Sequence, residues 1–465
     1  MTRGQWIGLG VAALLFALPW FVQFPGLSVQ GHRIFSIFLA AVVLWITEAV
    51  PLHATATIII LLEILFISDK AMLPMPEGFV PPSYQVFFNT LAAPVLMLFL
   101  GGFFLAHGAA KFDLDRNLAR VLLRPLGTSS MMILLGLIGI TAVFSMFMSN
   151  TATTATMMAV VLPVVASLPP GDRMRTGLAL CIPIAANVGG MGTPIGTPPN
   201  AIALGALAQA KTPLTIGFLQ WMLMAIPLVL VVLVAAWLLI GWLYGFRGKT
   251  IRLTIDCAFN TSRPAKIFYL TFAGTILLWL TEELHGMSSS IAGFVPVVVL
   301  LSTRVFSAKD LQSIQWHVLW LVAGGIALGV GVDRSGLDSW LLGLIQWDRM
   351  TPGMIIAALS LAALAMSTII SNSATANLII PLAMTLAETK SAGINPVVAA
   401  VFVAIGCSLA MALPISTPPN AVAMSTGAVR TKDMAIIGIL VGGFGWALFL
   451  FCGRWLWAAL GVLPS

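Results

Sequence analysis

The sequence predicts an all-α polytopic membrane protein. The prediction is an inverted repeat of five helices plus a re-entrant hairpin in each half, about eleven transmembrane helices in all. Three observations carry it. The chain has 465 residues, 59% of them apolar and only 8% charged, where a soluble domain holds about 25% charged residues. Its apolar stretches are continuous over helix length rather than alternating, which excludes a β-barrel pattern. Its polar motifs occur twice, in the same order. The four cysteines (Cys181, Cys257, Cys407, Cys452) are scattered and form no CxxC, so neither a zinc site nor a disulfide framework is expected. The net charge of +7 is assigned to cytoplasmic loops, and no nucleic-acid partner is expected.

A crossing needs about 20 apolar residues. Windows free of Asp, Glu, Lys and Arg give the candidates in order. They are 4–30, 34–47, 53–68 (interrupted by Glu63), 78–110, 125–171, 176–210, 212–246, 267–281, 284–303, 311–332, 350–387, 391–429 and 434–453. The first ends in Trp20-Phe21-Val22-Gln23-Phe24 with no small-residue cleavage site, so it is read as a retained helix and not a signal peptide. The windows 125–171 and 350–387 carry polar triplets in the middle, Ser149-Asn150-Thr151 and Ser371-Asn372-Ser373. Each window is either two crossings with the triplet in water or a re-entrant hairpin whose tip stops inside the membrane. Both readings leave the in/out parity unchanged. With the N-terminus inside, the inner loops hold 16 of the 23 Lys and Arg residues against 7 outside, which fits the positive-inside rule.

The repeat is collinear. Trp45-Ile46-Thr47-Glu48 recurs as Trp279-Leu280-Thr281-Glu282, Gly101-Gly102 as Gly324-Gly325, and Lys111 and Asp115 align with Arg334 and Asp338. Ser149-Asn150-Thr151-Ala152-Thr153 recurs as Ser371-Asn372-Ser373-Ala374-Thr375, and Thr197-Pro198-Pro199-Asn200-Ala201 as Thr417-Pro418-Pro419-Asn420-Ala421. Five crossings per half is an odd number, so the second copy is upside down. Inverted repeats with discontinuous helices at the midplane are the architecture of secondary transporters.

The duplicated polar elements have their own chemistry. Two consecutive prolines remove two backbone donors and clash with the preceding turn. Each Thr-Pro-Pro-Asn is therefore an unwound break in a long helix, with Thr197 or Thr417 as the cap of the second half and proline at its first position. Breaks expose carbonyls on one side and N–H groups on the other, and in a membrane these must face protein or a wet cavity. The hairpin tips offer the same pair of helix ends, plus Ser and Asn side chains that suit a hard cation or an anion. No Lys or Arg occurs in the hairpin or break windows. A bound anion is then balanced by four helix N-termini, about +2 in total, and by co-bound cations.

Two further stretches, 111–124 with Leu114, Leu118, Val121 and Leu122 and 336–347 with Leu337, Leu341 and Leu344, read as amphipathic interfacial helices. Glu63, inside a span, is either a functional carboxylate or a snorkelling or internally paired group. No HExxH or GxSxG occurs, and no nucleophile–base pair is found in the hairpins or breaks. An intramembrane hydrolase or a channel stands as the remote alternative to a carrier, and no enzyme activity is expected.

On these residues the chain resembles the divalent anion:sodium symporter family of di- and tricarboxylate carriers, over nearly its whole length. The resemblance implies an elevator-type carrier, Na⁺ as the co-transported ion with no organic cofactor, and C4-dicarboxylates such as succinate, fumarate and malate as substrates. Family members that exchange dicarboxylates without Na⁺ leave that mode open. It implies a homodimer in the bilayer of the inner (plasma) membrane, with a cytoplasmic N-terminus. Residues 1–124 would hold the first helix, scaffold helices and an arm, and 125–246 the hairpin, broken helix and next helix of the transport domain. Residues 247–348 and 349–465 would repeat that division. One Na⁺ site would use Ser145, Ser149, Asn150 and Gly196, the other Ser367, Ser371, Asn372 and Ser416. Substrate carboxylates would meet Asn150, Thr151, Thr197, Asn372, Ser373, Thr417 and Pro418. The second tip reads Ser-Asn-Ser where the family pattern is Ser-Asn-Thr.

Overall fold

A computed structural model describes residues 2–251, 257–343, 350–388 and 393–461. Among them the secondary structure is helical, apart from a single isolated β-bridge between Ser129 and Thr250. The first half runs α1 (Arg3–Phe21), α2 (Val29–Thr47), α3 (Leu52–Ile67), α4 (Pro94–Lys111) and α5 (Leu114–Leu123). It continues with α6 (Ser130–Phe147), α7 (Asn150–Ser167), α8 (Arg173–Gly190), α9 (Pro198–Ala208) and α10 (Phe218–Leu243). The second half runs α11 (Arg263–Leu280), α12 (Ser289–Ser302), α13 (Trp316–Ser335), α14 (Leu337–Gly343) and α15 (Pro352–Ile369). It closes with α16 (Asn372–Glu388), α17 (Pro396–Ser408), α18 (Pro418–Ser425) and α19 (Thr431–Leu448). Nine helices of the described residues are long and apolar enough to cross a membrane. The outer surface is correspondingly apolar: Leu14, Phe21, Leu270, Leu277 and Ile439 are each more than 60% exposed. This is a multi-pass membrane architecture.

The repeat appears in the packing. α3 of the first half packs on α13 of the second, and α12 of the second half packs on α4 of the first. The Gly-Gly pairs explain how closely. A Cβ on Gly101 would run into the Gly293 carbonyl of α12, and one on Gly324 into Ala56 of α3. The second glycine of each pair faces elsewhere: Gly102 lies on Ile195, and Gly325 on the amide of Asn377. The twin tryptophans tie one helix end to the next helix start, Trp45 Nε1 donating to Leu52 O (3.2 Å) and Trp279 Nε1 to Ser289 O (2.9 Å). Glu282 adds a clamp, accepting from Phe218 N (3.2 Å), Ser289 N (3.2 Å) and Ser289 Oγ (2.5 Å). Another polar clamp joins α4 to the short turn after α12. Asp310 pairs with Lys111 (2.8 Å) and His107 (3.1 Å). Burial alone would raise this carboxyl, but hydrogen bonds from Lys111, Ser307 and His107 outweigh it and hold it well below the usual carboxylate range.

α6 and α7 form one hairpin, α15 and α16 the other. They enter from opposite ends. Ser130, at the start of α6, donates to Phe246 O just past α10, and Tyr244 there bonds Asp433 at the start of α19 (3.3 Å). On α15, Ser360 accepts from Trp446 at the far end of α19 (3.0 Å). Both tips nevertheless reach one interior cavity, as re-entrant hairpins do and full crossings with wet tips would not.

Three expectations shift. The first window, 4–30, holds α1 only to Phe21, and α2 begins at Val29 rather than at residue 34. Arg33 therefore sits inside α2, with Nη1 on Phe66 O (2.9 Å) and Nη2 on Pro74 O (2.7 Å); its charge ends the charge-free window while its long stem stays in the helix. In α5, Leu114 is buried but Val121 and Leu122 are nearly half exposed. The inward face also carries Asp115, which accepts from Thr156 Oγ1 of α7 (2.8 Å). Glu63 is fully buried and has no hydrogen-bond partner in either oxygen, so it neither snorkels nor pairs. Leu344 of the second amphipathic stretch and Arg252 of the inner loop lie outside the described residues.

Candidate functional site: two hairpin tips and two broken helices around one cavity

The first break lies between α8 and α9. Residues 191–197 leave the helix, and Pro198 and Pro199 open α9. The carbonyls this strands are taken up locally. Asn200 Nδ2 donates to Gly190 O (3.2 Å) and Thr193 O (2.8 Å), and Trp221 Nε1 donates to Met191 O (3.0 Å). Thr193 Oγ1 donates to Met146 O, joining the break to the α6 arm. Gly190 and Gly196 touch backbone to backbone, and a Cβ on Gly190 would stand 2.5 Å from Asn150 Oδ1. Only glycines leave room for the Asn150 amide there.

The second break, between α17 and α18, repeats the scheme with different caps. Asn420 Nδ2 donates to Met411 O and Leu413 O, both at 2.9 Å. Ser416 Oγ donates to Thr368 O (2.6 Å), joining this break to the α15 arm. Thr417 caps α18 with its side chain, accepting from Asn420 N (3.3 Å), whereas Thr197 makes no side-chain cap. The expectation of two capping threonines holds for one of them. Asn187 of α8 crosses between the repeats: its Nδ2 donates to Thr417 Oγ1 and to Asn420 Oδ1, both at 3.1 Å.

Behind each tip lies the same cluster of oxygens. Ser145 Oγ is 2.6 Å from Asn150 Oδ1 and 2.7 Å from Ala186 O. Ser367 Oγ is 2.8 Å from Asn372 Oδ1 and 2.9 Å from Cys407 O. One hydroxyl proton cannot serve both acceptors at once. Each cluster is therefore short of hydrogen and rich in oxygen, the chemistry that suits a small hard cation. At the tips, Ser149 Oγ and Ser371 Oγ accept from Ala152 N and Ala374 N (3.2 Å each), capping α7 and α16.

The four segments meet at one cavity of about 860 Å³. Ser149, Asn150, Thr151, Ser371, Asn372 and Ser373 line it from the tips, and Gly196, Thr197, Ser416, Thr417 and Pro418 from the breaks. Of the expected residues, Ser145 and Ser367 alone stand back from it, fully buried behind the tip asparagines. The opposite wall, Phe99, Phe103, Gln315, His317, Val318 and Leu321, comes from α4 and the start of α13. Among the described residues no Lys or Arg lines the cavity, and Glu48 and His317 are its titratable side chains. His317 sits edge-on to His53 (ring centroids 6.2 Å). Glu48 follows Thr47, which packs against Gly8 near the start of α1, so these wall residues mark the end of the molecule that carries the N-terminus. At the other end Lys211 lies between Asp333 (3.7 Å) and Glu388 (3.6 Å).

Sequence reasoning missed the carbonyls of Ala186 and Cys407, the wall residues, and Asn187. A backbone carbonyl leaves no signature in sequence. Asn187 left one: a lone amide in the apolar run that precedes a break.

The comparisons with known proteins bear on the family and the fold. Residues 4–463 match the family model described as the sodium:sulfate symporter transmembrane region. The sodium-dependent dicarboxylate transporter SdcS of Staphylococcus saprophyticus is 31% identical over 477 residues, covering 94% of this chain and 88% of that protein. SdcS of Staphylococcus aureus (strain USA300) is 30% identical, covering 95% and 89%. Among solved structures, the YdaH transporter of Alcanivorax borkumensis superposes with a TM-score of 0.56 at 15% identity, over 92% of this chain and 99% of that one; this likeness bears on the fold alone. A family match over nearly the whole length, on a chain with these tips and breaks, leads to one assignment: the chain belongs to the sodium:sulfate symporter family of membrane transporters.

Proposed function

We propose that this chain is a secondary active transporter that couples Na⁺ to the uptake of C4-dicarboxylates such as succinate, fumarate and malate. The observation that carries the reading is the pair of oxygen-rich clusters behind two facing tips. Relatives at about 30% identity, named as sodium-dependent dicarboxylate transporters, support both ion and substrate class. In this reading one Na⁺ is held by Ser145, Ser149, Asn150 and the Gly196 carbonyl, and the other by Ser367, Ser371, Asn372 and Ser416. The Ala186 and Cys407 carbonyls stand at the back of each set. The substrate carboxylates lie against Asn150, Thr151, Thr197, Asn372, Ser373, Thr417 and Pro418. With no lysine or arginine to neutralise them, they are held by helix N-termini and the two cations.

Residues 125–246 and 349–465 form the moving transport domain, and 1–124 and 247–348 the scaffold, which pairs as a homodimer. The N-terminus is cytoplasmic in the plasma membrane. The side of the cavity that Glu48 and His317 line is then the cytoplasmic one. Uptake of labelled succinate into proteoliposomes tests the reading, with external Na⁺ replaced by choline and with sulfate, malate and citrate as competitors. Uptake that collapses without Na⁺ and in Asn372→Ala is expected. Undiminished uptake in choline, with counter-substrate inside, would overturn symport in favour of exchange.

A further inference from the structure

The two breaks are not equivalent, and Asn187 is the difference. Its orientation is fixed by its neighbours. Asn420 spends Nδ2 on two carbonyls, so the atom it turns to Asn187 is Oδ1. Only the amide nitrogen of Asn187 can satisfy that oxygen, and the same nitrogen donates to Thr417 Oγ1 at 3.1 Å. Thr417 Oγ1 also accepts from Asn420 N at 3.3 Å. A hydroxyl has two lone pairs and one proton. Both lone pairs of Thr417 are engaged within the protein, and its proton is left for whatever occupies the cavity that Thr417 lines.

Among the described residues, nothing comparable exists in the first break. Ala186 and Cys407 occupy the same place in the two repeats, each accepting from the serine behind its tip. The residue after Cys407 is Ser408, the counterpart of Asn187. Its hydroxyl turns back to Ala404 O in its own helix (3.0 Å), and Thr197 makes no side-chain cap bond.

We propose that Asn187 is a positioning residue that presets Thr417 as an obligate donor. The second break thereby becomes the end of the cavity that demands an ionised, acceptor-only group such as a carboxylate. This rests on the reading of the cavity as an anion site. Asn187 reaches the cavity wall but is only 1% exposed; in this proposal it acts through Thr417, so its effect must vanish when the Thr417 hydroxyl is removed.

The test is a double-mutant cycle. The readout is the half-saturating concentration of the anion, both in proteoliposome uptake and in thermal stabilisation of the purified protein. Asn187→Ala is expected to raise that concentration about 5- to 10-fold, the size of one hydrogen bond made ready for a charged partner, with the maximal rate retained. In a Thr417→Ser background, which keeps the hydroxyl, the same rise is expected. In a Thr417→Val background Asn187→Ala should add less than about 2-fold. An equal rise in all three backgrounds would overturn the proposal, because Asn187 would then act independently of the hydroxyl. So would a lost maximal rate with unchanged half-saturation. If Asn187→Ala does not survive purification, Asn187→Ser, which keeps a short donor, is carried through the same cycle. The cycle is run on whichever of succinate, malate or sulfate stabilises the wild type, so an error in the substrate class changes the anion used and leaves the coupling of Asn187 to Thr417 measurable.

Discussion

Ser145→Ala and Ser367→Ala separate ion binding from substrate contact. Both serines are fully buried and neither lines the cavity, so no substrate contact is lost with the hydroxyl. The structure gives the magnitude. Ser367 Oγ stands 2.8 Å from Asn372 Oδ1 and 2.9 Å from Cys407 O, and alanine leaves both buried oxygens without it. The penalty for stranding a buried polar group is about 1–3 kcal/mol, which is roughly 5- to 150-fold in an equilibrium constant. If the cluster holds Na⁺, that penalty falls on the ion-bound state as a lost ligand, and the Na⁺ concentration giving half-maximal uptake rises by about that factor. Ser145→Ala should do the same at the other cluster, where the distances are 2.6 and 2.7 Å. The assay is succinate uptake against external Na⁺ at fixed membrane potential, paired with Na⁺-dependent thermal shift of the purified protein. A melting temperature that falls while the Na⁺ half-saturation stays at the wild-type value in both assays would show that the serines only tie hairpin to break, and the two-cluster account of the ions would fail.

Further outcomes follow from the same geometry. Ser373→Thr adds one methyl at the cavity wall, and a methyl-sized change in a fitted pocket is worth about 1–3 kcal/mol; inhibition profiles of labelled succinate by malate, 2-oxoglutarate and citrate should therefore differ from wild type, with Na⁺ dependence little changed. Gly101→Ala should lower the melting temperature in detergent by the equivalent of about 1–3 kcal/mol, because its Cβ meets backbone of α12, whereas Gly102→Ala should be milder, since its Cβ meets no backbone and only the Ile195 side chain, Cδ1 at 3.0 Å and Cβ at 3.3 Å. The Asp310 carboxyl is depressed by its partners from an ordinary value near 3.8, so its contribution is fully present above that pH and is lost as pH falls through the folded value. The melting-temperature gap between wild type and Asp310→Asn should be constant at neutral pH and close progressively below about pH 3.8.

The sequence made the tips and breaks legible because proline pairs and polar triplets are the features a membrane helix cannot hide. The thirteen candidate site residues were assigned through the family resemblance; eleven of them line one cavity, and Ser145 and Ser367 lie one layer back. What stayed illegible depends on the third dimension. Asn187 and Thr417 are 230 residues apart in the chain, and nothing in either neighbourhood names the other. The Gly-Gly repeat was visible, but not that its first member locks one helix to another while its second faces a hairpin or a break. The start of α2 was misplaced because a charge was taken as a helix end, although Arg33 buries its stem and finds two carbonyls nearby.

The bare wall of the cavity has an electrical consequence. No lysine or arginine is among its lining residues, and Glu48 belongs to the segment that the proposed function assigns to the scaffold, so hairpins moving as proposed would carry almost no fixed charge of their own. Membrane voltage then acts on the cargo. A dianion with two Na⁺ is neutral and moves without current, and each further Na⁺ adds one elementary charge, worth about 2.3 kcal/mol per 100 mV. Net current per substrate molecule in a voltage-clamped vesicle is therefore a direct count of the ions that travel with it.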